Sequence, residues 1–261
     1  MKVKKRYILS FIGLFFIVSM CLLPAYKKPS EDLKQLVTKS NSFYNPYYRY
    51  AENVYQEAHL KNYGLSFEVF EKGLRGYLNV QATDARADKA ILAIADFDQN
   101  STAKRLYLID LKNDSLLLNS WVAHGQASGD DIASRFSNLE DSYSSSIGFF
   151  LTAEEYSGVH GRSLKLDGLD TGFNDQARNR AIVIHGAPYV SKSSIQALGR
   201  LGRSQGCPAV ASELSDQVIT TLGAGSVLFI NRSENNYTSS HLTEASAELA
   251  SLFRAAPVNY N

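Results

Sequence analysis

The fold and the chemistry of this chain are interpreted from two stretches, Ala181-Ile-Val-Ile-His185-Gly186 and Gly202-Arg-Ser204-Gln-Gly206-Cys207-Pro208. The first is an apolar run that ends in His-Gly, which predicts a buried strand with an imidazole at its end. The second predicts a tight turn that presents a thiol. A neutral imidazole can accept a thiol proton and stabilise the resulting thiolate. The two stretches together therefore predict nucleophilic cysteine chemistry.

The thiol of Cys207 follows a glycine and has no obvious disulfide partner. Glycine permits a sharp backbone turn and leaves amide N–H groups uncovered, so the backbone at Gly206 is predicted to donate to a developing oxyanion. The only other cysteine, Cys21, lies in an N-terminal apolar run. The alternative interpretation of Cys207 is a small buried hydrophobe. A zinc site is a rival, but the sequence has no short-spaced pair of cysteines or histidines to form one.

His185-Gly186 followed by Ser204-x-Gly206-Cys207 resembles the signature of the L,D-transpeptidase catalytic domain (YkuD-type), in its murein L,D-transpeptidase-like branch. The resemblance spans roughly residues 90 to 232 and is specific as a set of motifs. The further segments that resemble the family are Asp96-Phe97, Arg105-Leu-Tyr-Leu-Ile-Asp110, Val122-Ala-His124-Gly125, Phe136-Ser-Asn138, Ser145-Ser-Ile-Gly148-Phe-Phe, Tyr156-x-Gly158-x-His160-Gly161 and Arg180-x-Ile-Val-Ile-His185-Gly186-Ala187.

This resemblance implies a cysteine acyltransferase that requires no metal and no organic cofactor. Cys207 is the implied nucleophile, His185 the general base and acid, and Gly206 the backbone oxyanion donor. The implied substrate-binding residues are Gly186, Arg203, Ser204, Gln205, His124 and His160. Gln205 departs from the family pattern, because many members carry a second histidine there, and Pro208-Ala209 after the cysteine departs as well. A backbone carbonyl or a hydroxyl is implied to orient His185.

Three arginines flank the two stretches, namely Arg180, Arg200 and Arg203. They are candidates for pairing with the carboxylates of a peptide or for lowering the pKa of the thiol. The alternative is that they form ordinary surface ion pairs. Of these three, Arg203 is the preferred site residue because it directly precedes the motif serine.

The implied function is L,D-transpeptidation of peptidoglycan, in which Cys207 forms a thioester with a tetrapeptide stem, releases D-alanine and passes the acyl group to an amine. The residues leave an L,D-carboxypeptidase open, with water as the acceptor. They also leave open a non-catalytic module that binds cell-wall peptides, because Gln205 replaces the second histidine. A general cysteine protease is disfavoured, since the resemblance extends to segments far from the cysteine.

The N-terminus predicts export. Four basic residues within the first six precede an apolar run from Tyr7 to Leu23, which is the pattern of a signal peptide or of a membrane anchor. Cleavage after Ala25, lipidation at Cys21 and retention as an anchor all stay open. The protein is expected in the bacterial cell envelope, in the periplasm or on the extracytoplasmic face of the inner membrane. A net charge of +1 argues against nucleic acid as a partner.

The pattern of the rest predicts an α+β protein. Residues 26–85 are expected to form a helical region packed on a catalytic domain at 86–235, with a C-terminal helix or tail at 236–261. From Lys89 the apolar runs are short and separated by turn residues, which predicts a predominantly antiparallel β-sandwich or barrel-like domain. One or two peripheral helices are expected, from about Ser212 to Leu222 and from Leu242 to Phe253.

Overall fold

The computed structural model describes residues 45–233 and 236–243. The predicted signal segment at residues 1–25 and nearly all of the predicted C-terminal helix lie outside those ranges. No helix among the described residues is both long enough and apolar enough to cross a bilayer. The predicted division of the chain at residue 85 stays a prediction.

In the described part of the chain two α-helices precede the sheet, α1 (Pro46–Glu57) and α2 (Phe67–Thr83). The hydroxyl of Ser66 accepts a hydrogen bond from the Val69 amide at 3.2 Å, which satisfies a free N–H at the start of α2. Helix α2 packs tightly on the sheet, because a Cβ added at Gly76 would lie 1.9 Å from the Phe149 ring. Both helices share one apolar core with this face of the sheet.

Nine strands form a single mixed sheet in the described part of the chain. Their bounds are β1 Ile91–Asp96, β2 Leu106–Asp110, β3 Ser115–Ser120, β4 Val122–Ala123, β5 Gly148–Gly158, β6 Gly161–Gly168, β7 Val183–Ala187, β8 Ala209–Ala211 and β9 Val227–Asn231. Their order across the sheet is β3-β2-β1-β9-β5-β6-β7-β8-β4. Neighbouring strands are antiparallel except for β1 with β9 and β7 with β8.

The two edges of this sheet are joined by one residue. Strands β3 and β4 stand at opposite ends of the strand order, yet only Trp121 separates them in the sequence. The sheet must therefore curve until its edges approach each other, which makes it nearly a closed barrel. The interior is filled by small and apolar side chains, among them Phe150, Leu164 and Ile184.

The predicted class, an α+β protein built on a predominantly antiparallel sheet, is confirmed. Strand β8 and the two parallel pairs were not predicted from the pattern, and the apolar run from Leu116 to Ala123, which predicts one strand, is divided into β3 and β4. The predicted helix at 212–222 begins as a 3₁₀ turn at Ser212–Leu214 and continues as α4 (Ser215–Leu222). A further helix, α3 (Lys192–Leu198), lies between the two motif stretches and begins at the capping residue Ser191.

Candidate active site

The two motif stretches are neighbours in the sheet. Parallel pairing of β7 with β8 places His185 opposite Ala209, so the residue two positions earlier, Val183, lies beside Cys207. The Val183 amide accordingly lies 3.5 Å from the Cys207 sulfur and donates to it. Because alternate residues of a strand share a face, His185 projects to the same side of the sheet as Val183. The pairing of β7 with β8 thus brings His185 and Cys207 together, although they are 22 residues apart in the sequence.

One cleft of about 730 Å³ contains both side chains. The predicted site residues that line it are His160, His185, Arg203, Ser204, Gln205 and Cys207. Within the described residues no hydrogen bond joins the sulfur to the imidazole. The thiol instead donates weakly to the Ala181 carbonyl, at 3.8 Å.

The imidazole of His185 is held through one nitrogen. Its Nδ1 lies 3.0 Å from the Gly186 carbonyl, which can only accept, so Nδ1 carries the proton in the neutral ring. Nε2 makes no hydrogen bond to another described residue and is the basic nitrogen. The His160 ring stacks on the imidazole with centroids 4.2 Å apart. Burial lowers the pKa of His185 below its usual value of 6.5, so the ring is neutral at pH 7.

The turn before the thiol is braced by a hydroxyl. Ser204 Oγ accepts the Gly206 amide at 3.0 Å and donates to the Cys207 carbonyl at 2.6 Å. Gly206 has φ of +126°, a region that favours glycine, and a Cβ there would lie 2.9 Å from the Ser144 carbonyl. The predicted oxyanion donor at Gly206 is therefore occupied in this structure. The amide of Cys207 itself makes no hydrogen bond to another described residue and is available.

Opposing effects act on the pKa of the Cys207 thiol. Burial raises its pKa above the usual value, while the Val183 amide and the positive charge of Arg180 lower it. The residue is nevertheless partly exposed and not disulfide-bonded. A partly exposed, unpaired thiol in a cleft with a neutral imidazole is an arrangement from which an acyl-accepting thiolate can form.

The model of the L,D-transpeptidase catalytic domain (YkuD_2) matches residues 61–231, which is more than half of the chain. The chain belongs to the L,D-transpeptidase catalytic domain family. No curated protein matches the sequence.

Several solved L,D-transpeptidase structures are similar at low identity. The transpeptidase LdtMt1 in complex with imipenem is 12% identical with a TM-score of 0.34, and the match covers 54% of this chain and 59% of that one. The L,D-transpeptidase from Mycobacterium smegmatis is 12% identical with a TM-score of 0.34, covering 55% and 59%. A mutant of the helical cell shape determining protein Pgp2 from Campylobacter jejuni is 16% identical with a TM-score of 0.38, covering 70% and 63%. The match thus spans less than two thirds of each of these relatives.

Two predicted substrate-binding residues of this L,D-transpeptidase domain do not line the cleft. His124 is fully buried, and its backbone carbonyl accepts the Ser204 amide at 3.0 Å, so it supports the motif turn from behind. Gly186 holds the His185 ring through its carbonyl. A Cβ added at Gly186 would lie 2.8 Å from Ser215 Oγ, so the glycine permits close approach of α4.

Arg203 and Gln205 do line the cleft, with different surroundings. Arg203 donates to the Gly129 carbonyl at 2.7 Å and pairs with Asp130 at 2.8 Å, so its charge is already partnered. Gln205 is exposed, and its side chain makes no hydrogen bond to the described residues. Of these two, Gln205 is thus the freer to meet a ligand.

Most of the other walls of the cleft were not predicted from the sequence. They are formed by Gln126, Glu140, Asp141, Tyr143, Tyr156, Val159, Asn179, Arg180, Ala181, Ile182, Val183 and Tyr189. Burial raises the pKa of Tyr189 to about 12, so its hydroxyl stays protonated in the cleft. Of these, Arg180 was predicted as a candidate for peptide binding, and Tyr156, Ala181, Ile182 and Val183 lie in the quoted motif segments without a predicted role. No group of three His, Cys, Asp or Glu side chains within residues 45–233 and 236–243 is arranged to hold a metal ion.

Proposed function

We propose that this protein is a peptidoglycan L,D-transpeptidase, with Cys207 as the nucleophile and His185 as the general base and acid. The substrate is a tetrapeptide stem, cut between its third residue and the terminal D-alanine. One observation carries this proposal: Cys207 and His185 face one cleft, where the imidazole keeps a free Nε2 and the thiol is accessible.

The reaction begins with transfer of the thiol proton to Nε2 of His185. The thiolate attacks the stem carbonyl, and the amide of Cys207 donates to the oxyanion that develops. One such donor is worth about 3 to 4 kcal/mol in related chemistry. When the tetrahedral intermediate collapses, the protonated imidazole returns its proton to the departing amine of D-alanine, leaving a thioester on Cys207.

His185 is proposed to protonate the leaving group. Position 205 holds a glutamine amide, which does not act as an acid, and the other buried imidazole, His124, does not reach the cleft. An amine from a second stem then attacks the thioester, and His185 accepts its proton. The same groups would serve if water were the acceptor, which would make the protein an L,D-carboxypeptidase.

The N-terminal segment is proposed to direct the domain to the cell envelope, where peptidoglycan stems are found. The four basic residues followed by an apolar run support this location. Intact-mass analysis of the protein recovered from the envelope would report the mature N-terminus. A mass that begins at Met1 in a cytoplasmic fraction would contradict it.

The test of the reaction is incubation of the purified protein with disaccharide-tetrapeptides, followed by mass spectrometry. Cross-linked dimers with loss of D-alanine support transpeptidation, whereas tripeptides without dimers support the carboxypeptidase. A thioester adduct should appear in the intact mass and be absent from Cys207→Ala. Unchanged product formation by Cys207→Ala would exclude the thiol mechanism, and binding of stems without any turnover would favour a binding module.

A further inference from the structure

We propose that Arg180 is the positioning residue for the nucleophile, whose guanidinium favours the thiolate form of Cys207. This inference rests on the proposed use of Cys207 as the nucleophile. In this chain, a fixed positive charge stabilises the thiolate, and there is no second histidine at position 205.

The segment from Arg180 to Val183 wraps around the sulfur. The carbonyl of Ala181 and the amide of Val183 contact it at 3.8 Å and 3.5 Å. The Arg180 side chain leaves this segment and folds back towards the motif turn, where a Cβ built at Gly206 would lie 3.4 Å from Nη2. The guanidinium therefore lies against the residue that directly precedes Cys207.

Neutral groups hold this guanidinium. Nη1 donates to the Ser137 carbonyl at 2.7 Å and Nη2 to the Ser144 carbonyl at 2.7 Å, while Ser142 and Ser146 supply hydroxyl oxygens. Its Nε is buried and has no hydrogen-bond partner. No carboxylate among the described residues forms an ion pair with Arg180. The site thus contains a half-buried cation without a paired carboxylate, although Glu140 and Asp141 line the same cleft.

The other flanking arginines are different. Arg203 pairs with Asp130 at 2.8 Å, and the nearest carboxylate oxygen to Arg200 is also on Asp130, at 3.9 Å. Two residues before Arg180, Arg178 pairs with Asp167 and with Glu154 on the surface. Burial lowers the pKa of Arg180, and a negative charge on Cys207 raises it again. The thiolate is accordingly the counter-charge that the Arg180 site lacks.

Arg180 neither donates nor accepts a proton in this step. The thiol proton passes from Sγ to Nε2 of His185, which becomes the imidazolium, and the guanidinium contributes only its fixed charge. An opposite charge near an ionisable group typically shifts its pKa by one to three units. Removal of the Arg180 charge should therefore raise the pH at which the thiolate forms.

The test is the rate of alkylation of Cys207 by iodoacetamide as a function of pH, using the full chain with Cys21 replaced by serine. We expect Arg180→Met to move the midpoint of this profile upward by about one unit or more, with an alkylation rate at pH 7 about tenfold lower. Arg180→Lys should restore part of the shift, because it restores the charge. Arg178→Met is the matched control and should leave the midpoint unchanged.

A second pair of variants keeps Arg180 and so avoids loss of folding. Ser142 Oγ lies 3.1 Å from Nη2, and Ser142→Asp would place a carboxylate there that neutralises the guanidinium. It should raise the midpoint, whereas the near-isosteric neutral variant Ser142→Asn should not. Equal midpoints in wild type, Arg180→Met and Ser142→Asp would overturn the inference. Alkylation does not require turnover of a stem peptide, so failure of the proposed function would be recognised separately by the muropeptide assay.

Discussion

Two His-Gly pairs in this protein, His124-Gly125 and His185-Gly186, share a sequence and differ in chemistry. Both imidazoles are almost completely buried. Nδ1 of His124 lies 2.8 Å from Arg105 Nη2, and Nε2 of His124 lies 3.3 Å from the Gly129 carbonyl. Both nitrogens of the His124 ring are therefore hydrogen-bonded. His185 is held through Nδ1 alone. A buried histidine becomes a base only where the fold leaves one nitrogen facing a cleft.

The charges around the two rings strengthen this difference. Arg105 is fully buried and donates to the neutral His124 ring, so burial and the guanidinium together lower the pKa of His124 to about 4. Burial is also the largest cause of the lowered pKa of His185, and the stacked ring of His160 lowers it further. His124 is thus fixed as a neutral structural group, while His185 keeps one ring nitrogen free to accept a proton.

The largest expected effect is on His185, the proposed general base. His185→Gln should lower the rate of D-alanine release by about 10² to 10⁴, because general base catalysis is lost. His124→Gln should lower it by less than tenfold, since glutamine can accept from Arg105 and donate to Gly129 in place of the ring. Both rates are measured on disaccharide-tetrapeptide by quantifying free D-alanine. Equal losses in the two variants would contradict the assignment of His185.

The pH dependence of stability should carry the signature of His124. The folded protein keeps His124 neutral down to about pH 4, whereas the unfolded chain protonates it below the usual 6.5. The unfolded state therefore binds more protons between these values, and the contribution to stability is complete above pH 6.5 and lost as the pH falls to 4. At 1.36 kcal/mol per pKa unit the loss amounts to about 3 kcal/mol.

Urea unfolding at several pH values measures this loss. His124→Gln has no titrating ring at that position, so its free energy of unfolding should vary by correspondingly less between pH 6.5 and 4. A variant whose stability falls as steeply as that of the wild type would show that other groups cause the acid dependence.

The two glycines that follow these histidines should differ by a smaller amount. A Cβ at Gly125 would lie 2.5 Å from the Tyr143 carbonyl oxygen, a backbone atom that cannot move aside, whereas at Gly186 the nearest atoms belong to the Ser215 side chain. We expect Gly125→Ala to destabilise by about 2 to 3 kcal/mol and Gly186→Ala by about 1 kcal/mol. Adding Ser215→Gly should rescue Gly186→Ala in a thermal unfolding experiment and leave Gly125→Ala unchanged.

The smallest expected effect is that of His160 on the pKa of His185. His160→Ala removes the ring stacked on His185, and with it both some of the burial and a nearby charge that lower the pKa of His185. The acidic limb of the pH–rate profile should move towards pH 6.5. A shift to lower pH would contradict this account of the stacked pair.

The strands β1 to β3 and the neighbourhood of His185 and Cys207 could be predicted from the sequence, because each depends on local signals. The first three apolar runs are separated by turn residues, and the His-Gly and Gly-Cys motifs carry residue types that only a few chemistries use. Strand β8 is three residues long, too short for any periodicity to be recognised, and β4 is the end of an apolar run that also contains β3. Their pairing depends on residues distant in the chain.

The finer geometry of the site was not predictable for a similar reason. The Gly206 amide donates to Ser204 Oγ, so the Cys207 amide is the one left without a partner residue. These hydrogen bonds exist only once the turn has formed. The burial of His124 behind that turn depends on Arg105, which is 19 residues away. A dipeptide motif specifies which groups are present, while long-range packing decides which of their atoms remain free.

The position of β9 has a consequence for biogenesis. Residues 227–231 form the latest of the described strands, yet they lie in the middle of the sheet and join β1 to β5. A nascent polypeptide that ends before residue 227 has two partial sheets with nothing to connect them through backbone pairing. A chain truncated before residue 227 should therefore stay sensitive to proteolysis, although both Cys207 and its neighbouring strand β7 precede that point.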